Sequence, residues 1–223
     1  MLNLLLIAAA LADTAALPAA RAQAAPAVTV HRQPGLPVVA LRLSLLADDP
    51  RGFAGAGHLI QHLHLPAMEE QAARVGGRVQ ALRTSDALVY TVTGPASELG
   101  FLAGILRGAL RAPQPAQPQL LVALNALAEE RDEERETAAQ YVRAALRQRI
   151  FPDELPASGT PASAARLEAA PLDALWGELY SPDRVAVVAV GNVGADEVAR
   201  ALRDLPGPGD ARLGEAPADT APA

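Results

Sequence analysis

Cysteine is absent from the 223-residue chain, which excludes a disulfide framework, a thiolate metal cluster and a cysteine nucleophile. Lysine is absent too: all 19 basic side chains are arginine, a compositional bias rather than a functional signal. Those 19 stand against 25 acidic groups, for a formal charge of −6. A chain so balanced lacks the basic face that phosphate neutralisation needs, so nucleic acid is excluded as a general partner. No apolar run reaches the roughly 20 residues of a membrane-spanning helix, so no integral membrane segment is expected after processing. Histidine is scarce, at four residues, yet His58, His62 and His64 are bunched together. That concentration is the feature able to carry chemistry.

Half of the residues are hydrophobic, and the length supports one generous domain or two small ones with a sizeable core. Leu2 to Leu11 is almost purely apolar, and Ala22-Gln23-Ala24 supplies the small-x-small pattern of a signal-peptidase site. Residues 1–24 therefore read as a signal peptide, and the chain as exported to the periplasm, cell envelope or medium. A disordered leader or a wrongly assigned start is the alternative, and would leave the chain cytoplasmic. The Pro/Gly/Ala/Asp composition of 206–223 predicts a disordered tail. Residues 25–205 remain as one domain.

Within it, Val28–His31 and Val38–Leu46 read as strands, separated by the Pro34-Gly35 turn. Ala56–Leu65 is helical, Pro66 breaks it, and a short helix follows from Ala67 to Val75, stopped by Gly76-Gly77. Arg78–Leu82 and Leu88–Thr93 flank a turn and form a hairpin. Ser97–Arg111 is helical, and a long helix runs from Gln119 to Arg149. Phe151–Pro161 is loop, Leu172–Tyr180 a short helix, Arg184–Val190 a buried strand and Ala195–Leu205 the last helix. This order describes an α+β domain with helices packed on a mostly antiparallel sheet.

His58 and His62 are four apart, so on a helix they lie one above the other, at the separation that grips one divalent metal. His64 points about 160° around the helix from His62 and belongs to another face. On spacing alone, a surface or half-buried His pair is the commoner description, ahead of metal binding.

The segment Gly57-His58-Leu59-Ile60-Gln61-His62-Leu63 resembles the inverted zinc signature H-x-x-E-H of the pitrilysin/insulinase (M16) metallopeptidases. Further pieces follow in the order of that family. Gly76-Gly77-Arg78-Val79-Gln80-Ala81-Leu82-Arg83-Thr84 is similar to its glycine pair and following strand, and Leu88-Val89-Tyr90 to the hairpin partner. Leu106 to Pro113 precedes the long helix, and Tyr180 to Val193 resembles the family's Tyr-x-Pro strand. The resemblance covers Val28 to Leu205. It implies the fold of a single LuxS/M16 metallohydrolase-like domain and a Zn2+ held by His58, His62 and a glutamate on the long helix. In the resembling register that glutamate is Glu130. Helical phase supports Glu130 over Glu129, because it flanks the stripe through Leu120, Leu124 and Leu127. Glu134 approaches the same stripe and is a second candidate.

Departures from the pattern carry equal weight. The family's catalytic glutamate is Gln61 here, and an amide cannot take a proton from a metal-bound water near neutral pH. Loss of general acid/base help typically removes about 10²–10⁴-fold of rate. A supporting acidic position on the long helix, seven residues before Glu130, is Ala123. Family subunits resemble two copies of such a domain, which enclose substrate together, whereas this sequence carries one. The reading is therefore an inactive M16-like homologue, acting as a partner of a second M16-type subunit or domain, or as a peptide-binding subunit. An extended peptide would pair with the strand at Gln80, Ala81 and Leu82. The alternatives are an active zinc endopeptidase with a non-standard base, and an unrelated interaction module whose His pair is incidental.

Overall fold

Period-two alternation sets the sheet. In β2 (Val38–Leu46) Val39, Leu41, Leu43 and Leu45 are fully buried while Arg42 and Ser44 face the other way. β5 (Val185–Gly191) buries Val185, Val187 and Ala189 in the same rhythm. With β1 (Ala27–Arg32), β3 (Arg78–Arg83) and β4 (Ala87–Pro95) these strands form one five-stranded sheet, in the order β1-β5-β2-β4-β3. Only the β1–β5 pairing is parallel, so the sheet is mostly antiparallel, as the sequence predicts. The computed structural model describes residues 27–84, 86–152 and 155–203. The expected signal peptide at 1–24 and the expected tail at 206–223 lie outside the described residues.

Seven α-helices accompany the sheet among these residues: α1 (Ala56–Ala73), α2 (Leu99–Gly108), α3 (Gln117–Glu136), α4 (Ala138–Ile150), α5 (Pro161–Ala169), α6 (Leu172–Leu179) and α7 (Ala195–Ala201). Leu59 and Ile60 of α1, Leu102 and Leu106 of α2, and Leu175 and Trp176 of α6 share one core with the inward faces of β2, β4 and β5. Gly191 closes β5 at φ 148°, where a Cβ would sit 2.3 Å from the Val38 carbonyl oxygen, so this strand end admits only glycine.

Three expectations need correction. Pro66 does not end the His-bearing helix; α1 runs through it to Ala73. The pyrrolidine removes the amide that would bond the His62 carbonyl. Burial of Met68 and Ala72 on the second half keeps the helix going nonetheless. The long helix is two, because Thr137 adopts an extended conformation between α3 and α4. Glu133, Glu134 and Glu136 crowd the last turn of α3, where the helix dipole disfavours anions. Finally, the sequence reading assigns no element to Pro161–Ala169, yet α5 forms there. The Thr160 hydroxyl accepts from the Ser163 amide while the Thr160 amide donates to the Ser163 hydroxyl, and Pro161 occupies the first turn. That reciprocal cap was legible as Thr-Pro-x-Ser.

Candidate metal centre

The His-bearing helix is anchored at its start by an acidic side chain from the preceding loop. Asp49 accepts hydrogen bonds from the amides of Gly55 (2.7 Å) and Gly57 (2.9 Å), two of the donors that open α1. The same carboxylate pairs with Arg83 at the end of β3 (3.1 Å), and both side chains are buried. Arg83 also donates to the Ala47 carbonyl. A Cβ at Gly57 would meet Arg83 Nε and Leu88 Cδ1 at 3.0 Å and Asp49 Oδ1 at 3.1 Å, so the residue before His58 has no room for a side chain. Sequence reasoning missed this network. The Asp-Asp-Pro and Gly-rich spacing around it reads only as a turn.

One and two turns into α1, His58 and His62 stack with ring centroids 4.8 Å apart and planes 23° from parallel. Glu130 faces them from α3. His58 Nε2 lies 3.1 Å from Glu130 Oε2, and His62 Nε2 lies 3.3 Å from Oε1. Buried Leu120, Ala123 and Leu127 turn one face of α3 inward, and Glu130 continues it by one turn. The three candidate ligands thus come together, with donor atoms within 4.8 Å of one another. Glu134, the other candidate, is elsewhere: its Oε2 accepts from the Ser158 hydroxyl at 2.8 Å.

The donor set fits a zinc ion on the chemistry of the side chains themselves. His58 Nε2 and His62 Nε2 both face the Glu130 carboxylate, so two imidazole nitrogens and a carboxylate converge as the ligands of one ion would. Desolvation first, then the neighbouring His62 and Arg83, pushes His58 down to about 4, with Asp49 and the Ala157 backbone pulling weakly the other way. The imidazole is therefore neutral near pH 7 and has a lone pair to offer. Two histidines and one carboxylate also leave a fourth position open.

Gln61 lies between the two histidines and is itself buried. Its Nε2 donates to the Leu82 carbonyl at 2.9 Å and is 3.4 Å from that of Val89, where β3 and β4 pair. The amide therefore ties α1 to the hairpin with donors that a glutamate lacks. Ala123 is buried on α3 and helps line a cleft of about 660 Å3 beside His62, and among the described residues no carboxylate lines that cleft.

His64 takes another path, as its helical phase predicts. It is buried, 5.6 Å from the Trp176 ring centroid in an edge-on arrangement, with Nδ1 3.1 Å from the Tyr90 hydroxyl and Nε2 2.9 Å from the Arg111 carbonyl. That carbonyl can only accept, so Nε2 bears the proton and Nδ1 accepts from Tyr90. Burial pushes the His64 imidazole down to about 4 and the Tyr90 hydroxyl upward. Gln80, Ala81 and Leu82 lie on β3, an edge strand of the sheet, with Leu82 55% exposed.

This architecture is found in solved structures. The chain superposes on an M16-like peptidase from Alicyclobacillus acidocaldarius with a TM-score of 0.67 and 19% identity, over 83% of this chain and 49% of that one. The fold is that of an M16 peptidase domain. The M16 inactive domain from Pseudomonas fluorescens gives 0.65 at 15% identity, over 88% of this chain and 52% of that one. Pitrilysin gives 0.70 at 16% identity, over 86% and 23%. The chain thus spans about half the length of the first two M16 structures and a quarter of pitrilysin. No family model matches the sequence, and no curated protein does. Among the described residues, no helix is long and apolar enough to cross a membrane.

Proposed function

We propose that this chain is an M16-type domain that holds zinc through His58, His62 and Glu130 and engages an extended peptide without hydrolysing it, beside a second domain of the same kind. The observation that carries this reading is Gln61. At the position where the resemblance places the base, the side chain is an amide whose donors are spent on the Leu82 carbonyl, backed by that of Val89. A bound zinc would supply Lewis acidity toward a carbonyl oxygen. Neither described residue at the positions where the resemblance places a carboxylate can take the proton of an attacking water: Gln61 has no basic site, and Ala123 has no polar atom.

Peptide binding is assigned to the open edge of β3 at Gln80, Ala81 and Leu82, where unpaired backbone groups can add a strand. Gln61 steadies that strand from the side of α1, so the edge and the metal ligands belong to one rigid unit. The expected signal peptide at 1–24 would place this unit in the cell envelope or outside the cell. The experiment is elemental analysis of the purified chain, followed by zinc titration and a peptide-cleavage assay. One zinc per chain without turnover is the expected result. Chelator-sensitive cleavage by the unmodified chain, lost in His58→Ala, would overturn the reading.

A further inference from the structure

His58 and His62 are each preceded by a residue tied to the same two positions of β3. Gly57 donates its amide to Asp49, which pairs with Arg83, and Gln61 donates its side chain to the Leu82 carbonyl. Leu82 and Arg83 are consecutive, and β4 fixes both, opposite Val89 and Leu88. The stretch of α1 that carries the candidate ligands is therefore registered on the end of one strand at two points, about one turn apart.

The two ties differ in kind. Gln61 reaches the strand directly, whereas the tie at the helix start is relayed. The Arg83 guanidinium donates to the Ala47 carbonyl at 3.0 Å and to Asp49 Oδ1 at 3.1 Å. The same carboxylate accepts from the Gly57 amide through Oδ1 and from the Gly55 amide through Oδ2. The side chains of Arg83 and Asp49 are only 3% and 9% exposed, so water competes little for these bonds. Gly57 lies so close to Arg83 Nε and Asp49 Oδ1 that a Cβ has no room. Hydrogen bonds thus hold the first turn to the pair, and contact stops it from coming nearer.

We infer that Asp49 and Arg83 are positioning residues of the metal centre: Arg83 fixes the carboxylate, the carboxylate fixes the first turn of α1, and that turn sets where the His58 and His62 nitrogens meet Glu130. Neither belongs to the group of three that could hold the ion, so both act through the helix. Their hold matters because the ligands come from two helices. Glu130 stands on α3, so a small slide of α1 along the sheet changes both His–Glu130 distances, 3.1 and 3.3 Å, together. The inference rests on the zinc reading of the proposed function and adds the residues that keep its geometry. His64 supplies an internal reference. It lies on the same helix, two residues past His62, and its ring has hydrogen-bond partners of its own in the Tyr90 hydroxyl and the Arg111 carbonyl.

The test is Arg83→Met, which leaves Asp49 to cap α1 but cuts its tie to β3. Zinc affinity is read by competitive chelator titration, and the histidine rings by imidazole NMR of the metal-free chain. Zinc binding should weaken by about tenfold or more. The His58 and His62 ring signals should shift and broaden, while the hydrogen-bonded Nε2 proton of His64 keeps its signal. Asp49→Asn combined with Arg83→Met removes both buried charges and leaves an amide oxygen to accept from the helix start. It should show the same effects, without an unpaired carboxylate to unfold the chain or a lone charge change beside His58. A folded variant that binds zinc within about twofold of the parent, or whose His58 and His62 signals match the parent's, overturns the inference. So does loss of the His64 signal as well, which would mean a general loosening of α1. A parent chain without zinc affinity overturns the metal reading alone, and the ring signals of the metal-free variants still decide the positioning role.

Discussion

Gln61→Glu tests whether the amide is a relic of a catalytic position or a working part of the fold. The substitution keeps the size of the side chain and removes two N–H donors. In their place it puts a carboxylate against the Leu82 carbonyl oxygen, 2.9 Å from the present Nε2, with that of Val89 at 3.4 Å. Loss of the hydrogen bond alone costs about 1 kcal/mol. Stranding a buried charge beside two acceptors raises the figure to about 3 kcal/mol. In a domain of this size that lowers the melting temperature by roughly 6–12 °C at pH 8 in metal-free protein. The sign with pH follows from the same contact. A glutamate in this place takes up its proton more readily folded than unfolded, because the protonated acid can donate to the Leu82 carbonyl. Its folded pKa is therefore raised, so the deficit relative to the parent chain shrinks as pH falls and is full once pH exceeds that raised value. Paired thermal and urea melts of the two proteins at pH 5 and pH 8 measure both effects. A variant as stable as the parent at pH 8, or a deficit that grows on acidification, would refute the assignment of Gln61 to the hairpin.

Other perturbations probe the remaining supports. Asp49→Ala removes the anchor of α1 and strands Arg83, both buried, so urea unfolding should show a loss of about 3–5 kcal/mol. His58→Ala and Glu130→Ala should each weaken zinc binding by about a hundredfold or more in a competitive chelator titration, whereas Glu134→Ala should leave it within a few-fold. Zinc at a hundredfold excess over its Kd should stabilise the parent chain by about 3 kcal/mol, and no stabilisation in His58→Ala should appear in the same melts. His64, held down at about 4 by burial, stays neutral in the folded chain while the unfolded chain takes up a proton below pH 6.5. Stability should therefore fall as pH drops from 6.5 toward 4, by about 3 kcal/mol from this group, and His64→Gln should flatten that slope.

What the sequence revealed follows the range over which each signal acts. Strand alternation is local, and β2 and the β3–β4 hairpin form where the pattern puts them. The i,i+4 spacing of His58 and His62 is also local, and the structure stacks those rings. Glu130 needed helical phase plus a resemblance, since the acidic run around it offers several equivalent carboxylates. Only the fold shows that Glu134 is taken by Ser158. Pro66 and Thr137 show why element ends are the harder part. A proline that breaks an exposed helix is carried through when the next turn is buried, and a β-branched residue among C-terminal acids divides a helix that propensity alone continues. The role of Asp49 was out of reach because its partners lie 6, 8 and 34 residues away, joined by the sheet rather than by any motif.

The two substitutions that set this site apart are of different physical kinds, and the difference bears on how it came to rest. Against the resembling pattern Ala123 is a deletion: a buried methyl stands where that pattern has an acidic group, on the wall of the cleft beside His62. Gln61 is an exchange, because its amide gains contacts that a carboxylate could not make. A deletion is reversible at little structural cost, whereas an exchange that joins α1 to the β3–β4 ladder makes the return to glutamate unfavourable in the metal-free chain. The ligands are under no such pressure. His58 Nε2 and His62 Nε2 converge on the Glu130 carboxylate, a donor set that suits a metal ion. On the proposed reading a domain arranged this way would be stabilised by holding a metal and destabilised by regaining a base, which would make binding and hydrolysis separable.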